Sequence, residues 1–151
     1  MACVMAVIDE PSTWTTVTMD HILHEGDKLY QTIDTEQQLL LPTDLPACVT
    51  MCNRVCHIIT GKEVFGSFVE NITKTELILS TLCAFLQKTI TSALVCLGDR
   101  TGSSAISVFG TATSIYVFDS HSRDNSGMPC QNGTAILMKF DDIQSAISYI
   151  C

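Results

Sequence analysis

Ile115-Tyr116-Val117-Phe118-Asp119-Ser120-His121-Ser122-Arg123-Asp124 is the stretch on which the reading of this chain turns. Four residues of β-forming type run straight into Asp-Ser-His-Ser-Arg-Asp. Side chains two apart in a strand point to the same face. If the strand continues through them, Asp119 and His121 share a face, with Ser120 turned away. At roughly 3.3 Å per residue their Cα atoms then lie about 6.5–7 Å apart. A third group near both could use the imidazole as proton acceptor and the carboxylate as its orienter, the logic of nucleophile–base–orienter sites. The plainer reading is a solvated strand end, because Asp124-Asn125-Ser126-Gly127 beyond it reads as a turn. Residue type and spacing leave both readings open.

Outward from this stretch the chain is strand-rich. Ala105 to Phe109 predicts a strand and Gly110 to Thr113 a tight turn, with the next strand from Ser114 to Asp119. A loop from Asp124 to Gly133 leads into a strand from Thr134 to Phe140, with Ala135, Leu137 and Lys139 facing one way. Asp141-Asp142 places acids where a helix macrodipole favours them, at the head of a short helix carrying Ile143, Ala146, Ile147 and Ile150. Upstream, Ala93 to Leu97 is an apolar run suited to a central strand. Gly98-Asp99-Arg100-Thr101-Gly102 reads as a loop without phosphate-binding spacing. Thr73-Lys74-Thr75-Glu76 has the form of a capping box and opens a well-buried helix to about Thr89.

The N-terminal part reads as helical. Residues 2–8 are continuous hydrophobe, and Glu10-Pro11-Ser12-Thr13-Trp14 breaks them. Trp14, the single tryptophan, is expected to pack over the helix pair. From about Val17 to Ile33, Met19, Ile22, Leu23, Gly26, Tyr30 and Ile33 form one apolar stripe. Gly26 on that stripe lets another backbone approach. His21, His24, Asp27 and Lys28 then fall on the opposite, solvated side. Asp34 to Ala47 reads as a loop. Cys48, Val49, Met51, Ile58 and Ile59 suggest strands, with turns at Gly61 and Gly66. Cys48, Cys52 and Cys56 recur every four residues, followed by His57. That set would need a helix to converge on zinc, whereas the local residues favour strand, and no distant second ligand pair accompanies it. A small zinc-binding or redox domain built on these four residues is a competing reading, although no metal site is assigned.

Composition narrows the function classes. The chain has 151 residues, 46% hydrophobic, enough for one domain with an ordinary core. Sixteen acidic against eight basic residues give a net charge of −8. There is no basic cluster or interleaving of arginine with aromatics, so nothing favours nucleic acid. No apolar run reaches the ~18 residues needed to span a membrane. Met1 to Ile8 lacks the basic n-region of a signal peptide and ends at Asp9-Glu10-Pro11. The eight cysteines are then expected to be reduced thiols of an intracellular protein, cytoplasmic or nuclear rather than secreted. Helices first, antiparallel strands after and a closing helix make the fold class α+β.

Phe118-Asp119-Ser120-His121-Ser122-Arg123-Asp124, then Gly127, then Asn132-Gly133-Thr134-Ala135 leading into Ile136-Leu137-Met138, resembles the C-terminal half of the herpesvirus tegument deubiquitinase family. Met19-Asp20-His21-Ile22-Leu23-His24-Glu25-Gly26-Asp27-Lys28-Leu29-Tyr30 and the pair Leu45-Pro46 resemble it in the same order. The resemblance extends from about Trp14 onward, and 47–90 match in general pattern alone. It implies a single papain-like cysteine peptidase domain over 1–151, a helical half packed on an antiparallel sheet. It implies His121 as general base and Asp119 as its orienter, with a thiolate attacking the carbonyl after the C-terminal Gly of ubiquitin. The implied partner is ubiquitin or its conjugates, with no cofactor; oligomeric state is left open.

The family's nucleophile and oxyanion-hole Gln are not identifiable here. Cys3 is a candidate near the head of the first helix, but it lies in an apolar run with two residues before it. The expectation is therefore a domain missing its N-terminal catalytic loop, with little or no peptidase activity as it stands. The alternative is a non-catalytic ubiquitin-binding or interaction module of the same fold.

Overall fold

Runs of β-forming residues build the strands of the C-terminal half, and two α-helices, a 3₁₀ turn and a hairpin make up the described N-terminal part. The computed structural model describes residues 1–33, 44–58, 92–98, 103–111 and 113–150, with 92–98 and 103–104 described by their backbone. The chain divides into two compact units, Met1–Phe65 and Gly66–Cys151. The helix expected from Thr73 to about Thr89, the turns at Gly61 and Gly66, and the loop after Gly98 lie outside the described residues, as does most of the loop after Asp34.

In the first unit, α1 spans Ala2–Ile8 and buries Ala2 and Met5, three residues apart on one face. Its Asp9 cap is extended. A 3₁₀ turn at Pro11–Thr13 follows, with proline at the first position, where no N–H is required. The indole Nε1 of Trp14 donates to the Asp9 carbonyl at 3.2 Å, and Trp14 is half-buried.

α2 spans Thr16–Thr32 behind a reciprocal capping box between Thr15 and Thr18. The expected stripe is narrower in fact. Ile22 is buried, but Leu23 and Tyr30 are exposed. Gly26 admits no second backbone: a Cβ there would meet the Met1 side chain at an ordinary 3.7 Å.

β1 (Cys48–Met51) and β2 (Arg54–His57) pair antiparallel, Cys48 opposite His57 and Met51 opposite Arg54. Cys52 and Asn53, with φ of 51° and 58°, make the two-residue connection. Two positive φ values are the signature of a type I′ turn, whose twist matches that of the flanking strands. Val49 and Met51 form the buried face.

In the second unit β3 (Ser92–Gly98), β4 (Ser103–Gly110), β5 (Ile115–Arg123) and β6 (Thr134–Phe140) lie in spatial order 3-4-5-6, every neighbour antiparallel. α3 (Ile143–Ile150) follows. Among the described residues Ile106, Val108 and Val117 pack with Ala146 and Ile147 of α3, flanked by Ile115, Phe140, Ile143, Tyr149 and Ile150. The opposite face of β4 and β5 is buried too, at Ser107, Phe109, Tyr116 and Phe118. Asp142 caps α3 directly, its two carboxylate oxygens accepting from the Ser145 N–H and hydroxyl, both at 2.8 Å. The expected α+β class holds, with helices and antiparallel sheets.

Candidate functional site

β5 runs four residues further than expected, through His121 to Arg123. Its pairing with β6 is regular from Ile115↔Phe140 to Asp119↔Ile136, then resumes at Arg123↔Thr134. Four steps along β5 match two along β6, so Ser120, His121 and Ser122 form a bulge. A bulge bends the strand and re-aims its side chains. Here it frees the His121 N–H from the ladder, and that N–H donates to Asp119 Oδ1 at 2.9 Å.

The ring follows the backbone: His121 Nδ1 lies 2.6 Å from the same Oδ1. With the carboxylate ionised, Nδ1 carries the shared proton and Nε2 is left as the acceptor. Asp119 is 1% exposed, whereas the His121 side chain is 44% exposed. The pair is thus a buried anchor and an accessible imidazole, the arrangement a general base requires.

Arg123 completes the group. Its Nε donates to Asp119 Oδ2 at 2.8 Å and its Nη2 lies 2.7 Å from the same oxygen. Burial pushes the Asp119 carboxyl up, but the hydrogen bonds from the His121 N–H, the His121 ring and Arg123, with the Arg123 charge, outweigh it and hold the carboxyl below the usual carboxylate range. The sequence places Asp119 and His121 on one face and gives Arg123 a part in fixing the strand end, with no catalytic step; the structure puts its guanidinium on Asp119.

The loop after the site is tied back at several points. Ser122 Oγ donates to the Cys130 carbonyl at 2.6 Å, and the Cys130 N–H donates to the Ser122 carbonyl at 3.1 Å. Asp124 Oδ1 accepts from the Ser126 and Met128 N–H groups. Gly127 has φ +83°, and a Cβ there would collide with the Tyr149 ring. The Tyr149 hydroxyl donates to the Gly127 carbonyl at 3.2 Å. Gly133 admits the Arg123 backbone where any Cβ would overlap it. Both glycines serve the same purpose, holding the return loop close beneath the bulge.

The other sequence candidates lie in the first unit. Cys3 is half-buried in the first turn of α1. His21, expected on the solvated side of α2, is half-buried, its Nε2 3.8 Å from Cys52 Sγ. Cys48 Sγ lies 3.2 Å from His57 Nδ1 across the hairpin. Cys56 pairs with Val49, one position along from His57 and so on the opposite face. Among the described residues no cluster of three or more His, Cys, Asp and Glu side chains could hold a metal ion. Among them too, no helix is long and apolar enough to cross a membrane.

The family model for the herpesvirus tegument protein N-terminal conserved region matches residues 1–151. The chain belongs to that family. No curated protein matches it. In this tegument-family chain, residues 118–124 carry the Asp119–His121–Arg123 group.

Proposed function

We propose that this tegument-family chain is a deubiquitinating cysteine peptidase domain of papain-like fold, acting inside the cell on ubiquitin or its conjugates. The observation that carries the proposal is the 2.6 Å contact between the ring of His121 and the buried carboxylate of Asp119. His121 Nε2 takes the thiol proton, Asp119 holds the ring and stabilises the imidazolium that forms, and the thiolate attacks the carbonyl after the C-terminal Gly of ubiquitin. Protonated His121 then returns its proton to the leaving amine. Water hydrolyses the thioester with His121 again acting as base.

The test is reaction with ubiquitin bearing a C-terminal electrophile, for this chain and for any longer product of its reading frame. Mass spectrometry of the adduct identifies the thiol. Labelling that is lost on His121→Ala supports the proposal. If neither form is labelled yet ubiquitin is still bound, the domain is a non-catalytic ubiquitin-binding module.

A further inference from the structure

The structure assigns Arg123 as a positioning residue: its guanidinium occupies one oxygen of Asp119 so that the other presents a fixed, ionised acceptor to His121. This deepens the proposed peptidase reading and rests on it for its consequence in catalysis. The geometry itself stands on the contacts alone.

Asp119 divides its oxygens cleanly. Oδ1 takes both His121 donors, the backbone N–H at 2.9 Å and Nδ1 at 2.6 Å. Oδ2 takes both Arg123 donors, Nε at 2.8 Å and Nη2 at 2.7 Å. All four contacts come from residues two and four places along the same strand. A buried carboxylate must be paired or it takes up a proton. The Arg123 side chain is itself 21% exposed, so the charge facing Oδ2 is partly shielded from water. From α3, the Tyr149 phenol lies near enough to Asp119 and Arg123 to feel both charges, and that of Asp124 beyond the strand.

Removing the guanidinium charge leaves Oδ2 buried without the cation that holds it among the described residues. Asp119 then binds a proton and can donate to Nδ1, which reverses the ring: the proton moves to Nε2, the atom that must stay free to accept. Arg123 therefore sets the tautomer of His121 through the carboxylate that the two share.

The experiment is imidazole ¹⁵N NMR on the full 151-residue chain with His121 resolved by comparison with His121→Ala, at a pH where the ring is neutral. Wild type and Arg123→Lys are expected to hold the Nδ1–H tautomer. Arg123→Gln, which keeps a donor and loses the charge, and Arg123→Met are expected to shift the population to Nε2–H. In a form that reacts with the ubiquitin electrophile, the same two neutral variants should react about 100-fold more slowly, with Lys restoring most of the rate. Wild-type ring shifts in both neutral variants overturn the proposal. So does loss of fold in both, since Arg123 would then serve stability alone. Absence of any electrophile labelling in wild type counts against the peptidase reading and leaves the tautomer result to decide the role of Arg123.

Discussion

The carboxylate of Asp119 lies 2.6 Å from Nδ1 of His121, and the two residues belong to one strand, separated by a single serine. Such closeness is not given by a flat strand, where side chains two apart run parallel. It follows from the bulge between Asp119 and Arg123. The bulge turns a sequence spacing into a hydrogen bond.

Replacing Asp119 by Asn removes the charge that four donors share. Hydrogen bonds to charged groups contribute about 1.5–3 kcal/mol each, and their energies do not sum. We expect Asp119→Asn to lose about 2–4 kcal/mol of stability at pH 7, measured by urea denaturation. A loss below about 0.5 kcal/mol, the level of an ordinary surface substitution, would contradict the reading of Asp119 as a buried, ionised anchor.

Acid should expose the same residue. The carboxyl of Asp119 is lowered from the ordinary value of 3.8. A depressed carboxyl contributes stability that is fully present above its unfolded-state value and is lost as pH falls through the lower folded-state value. Asp124 and Asp142 are lowered as well, chiefly by their hydrogen bonds to Ser126 and Ser145, so all three act with one sign. The melting temperature should fall as pH drops below 3.8, and Asp119→Asn should flatten that fall. An unchanged pH slope in the variant would show that Asp119 is not linked to folding.

Gly127 tests the loop that returns beneath the bulge. Its φ of +83° and the Tyr149 ring both exclude a side chain. Gly127→Ala should cost about 1–3 kcal/mol through the backbone conformation alone. The collision with the ring adds to that. Tyr149→Phe, which removes only the hydroxyl that reaches the Gly127 carbonyl, should cost about 1 kcal/mol. Equal stability of Gly127→Ala and wild type would mean the loop is not held as described.

Ile147 is fully buried between α3 and the sheet. Ile147→Ala should lower stability by about 2–5 kcal/mol, the cost of lost apolar burial and a residual cavity. Thermal unfolding of the variant checks this, and a shift of less than about 1 kcal/mol would place Ile147 outside the core.

Much of this was legible because periodicity and end signals are local. Thr134–Phe140 is a short run of β-forming and apolar residues between turn-forming Asn132-Gly133 and Asp141-Asp142, and β6 has the bounds that those signals give. The helix at Ala2–Ile8 follows an apolar run closed by Asp9-Glu10-Pro11, and the one at Ile143–Ile150 follows an amphipathic repeat headed by Asp141-Asp142. What stayed hidden depended on contacts between distant backbones. Cys52-Asn53 carries no Gly, so the positive φ values of the hairpin turn gave no sign in sequence. Leu23 and Tyr30 share a helical stripe with Ile22, but periodicity ranks positions by angle and does not say how wide a face is covered. The strand was expected to stop at Asp119 because polar residues follow. Those polar residues continue it, since they satisfy one another through the bulge. The pairing of Arg123 with Asp119 depends on that bulge and is not legible in the spacing.

Turnover of ubiquitin carrying a C-terminal fluorogenic amide tests the central claim most directly. The chain, with any longer product of its reading frame, would be compared with the same proteins carrying His121→Ala. We predict thiol-dependent release that falls by about 100-fold or more in the His121 variant while ubiquitin binding is retained. Equal release with and without His121, or none from any form, would contradict it.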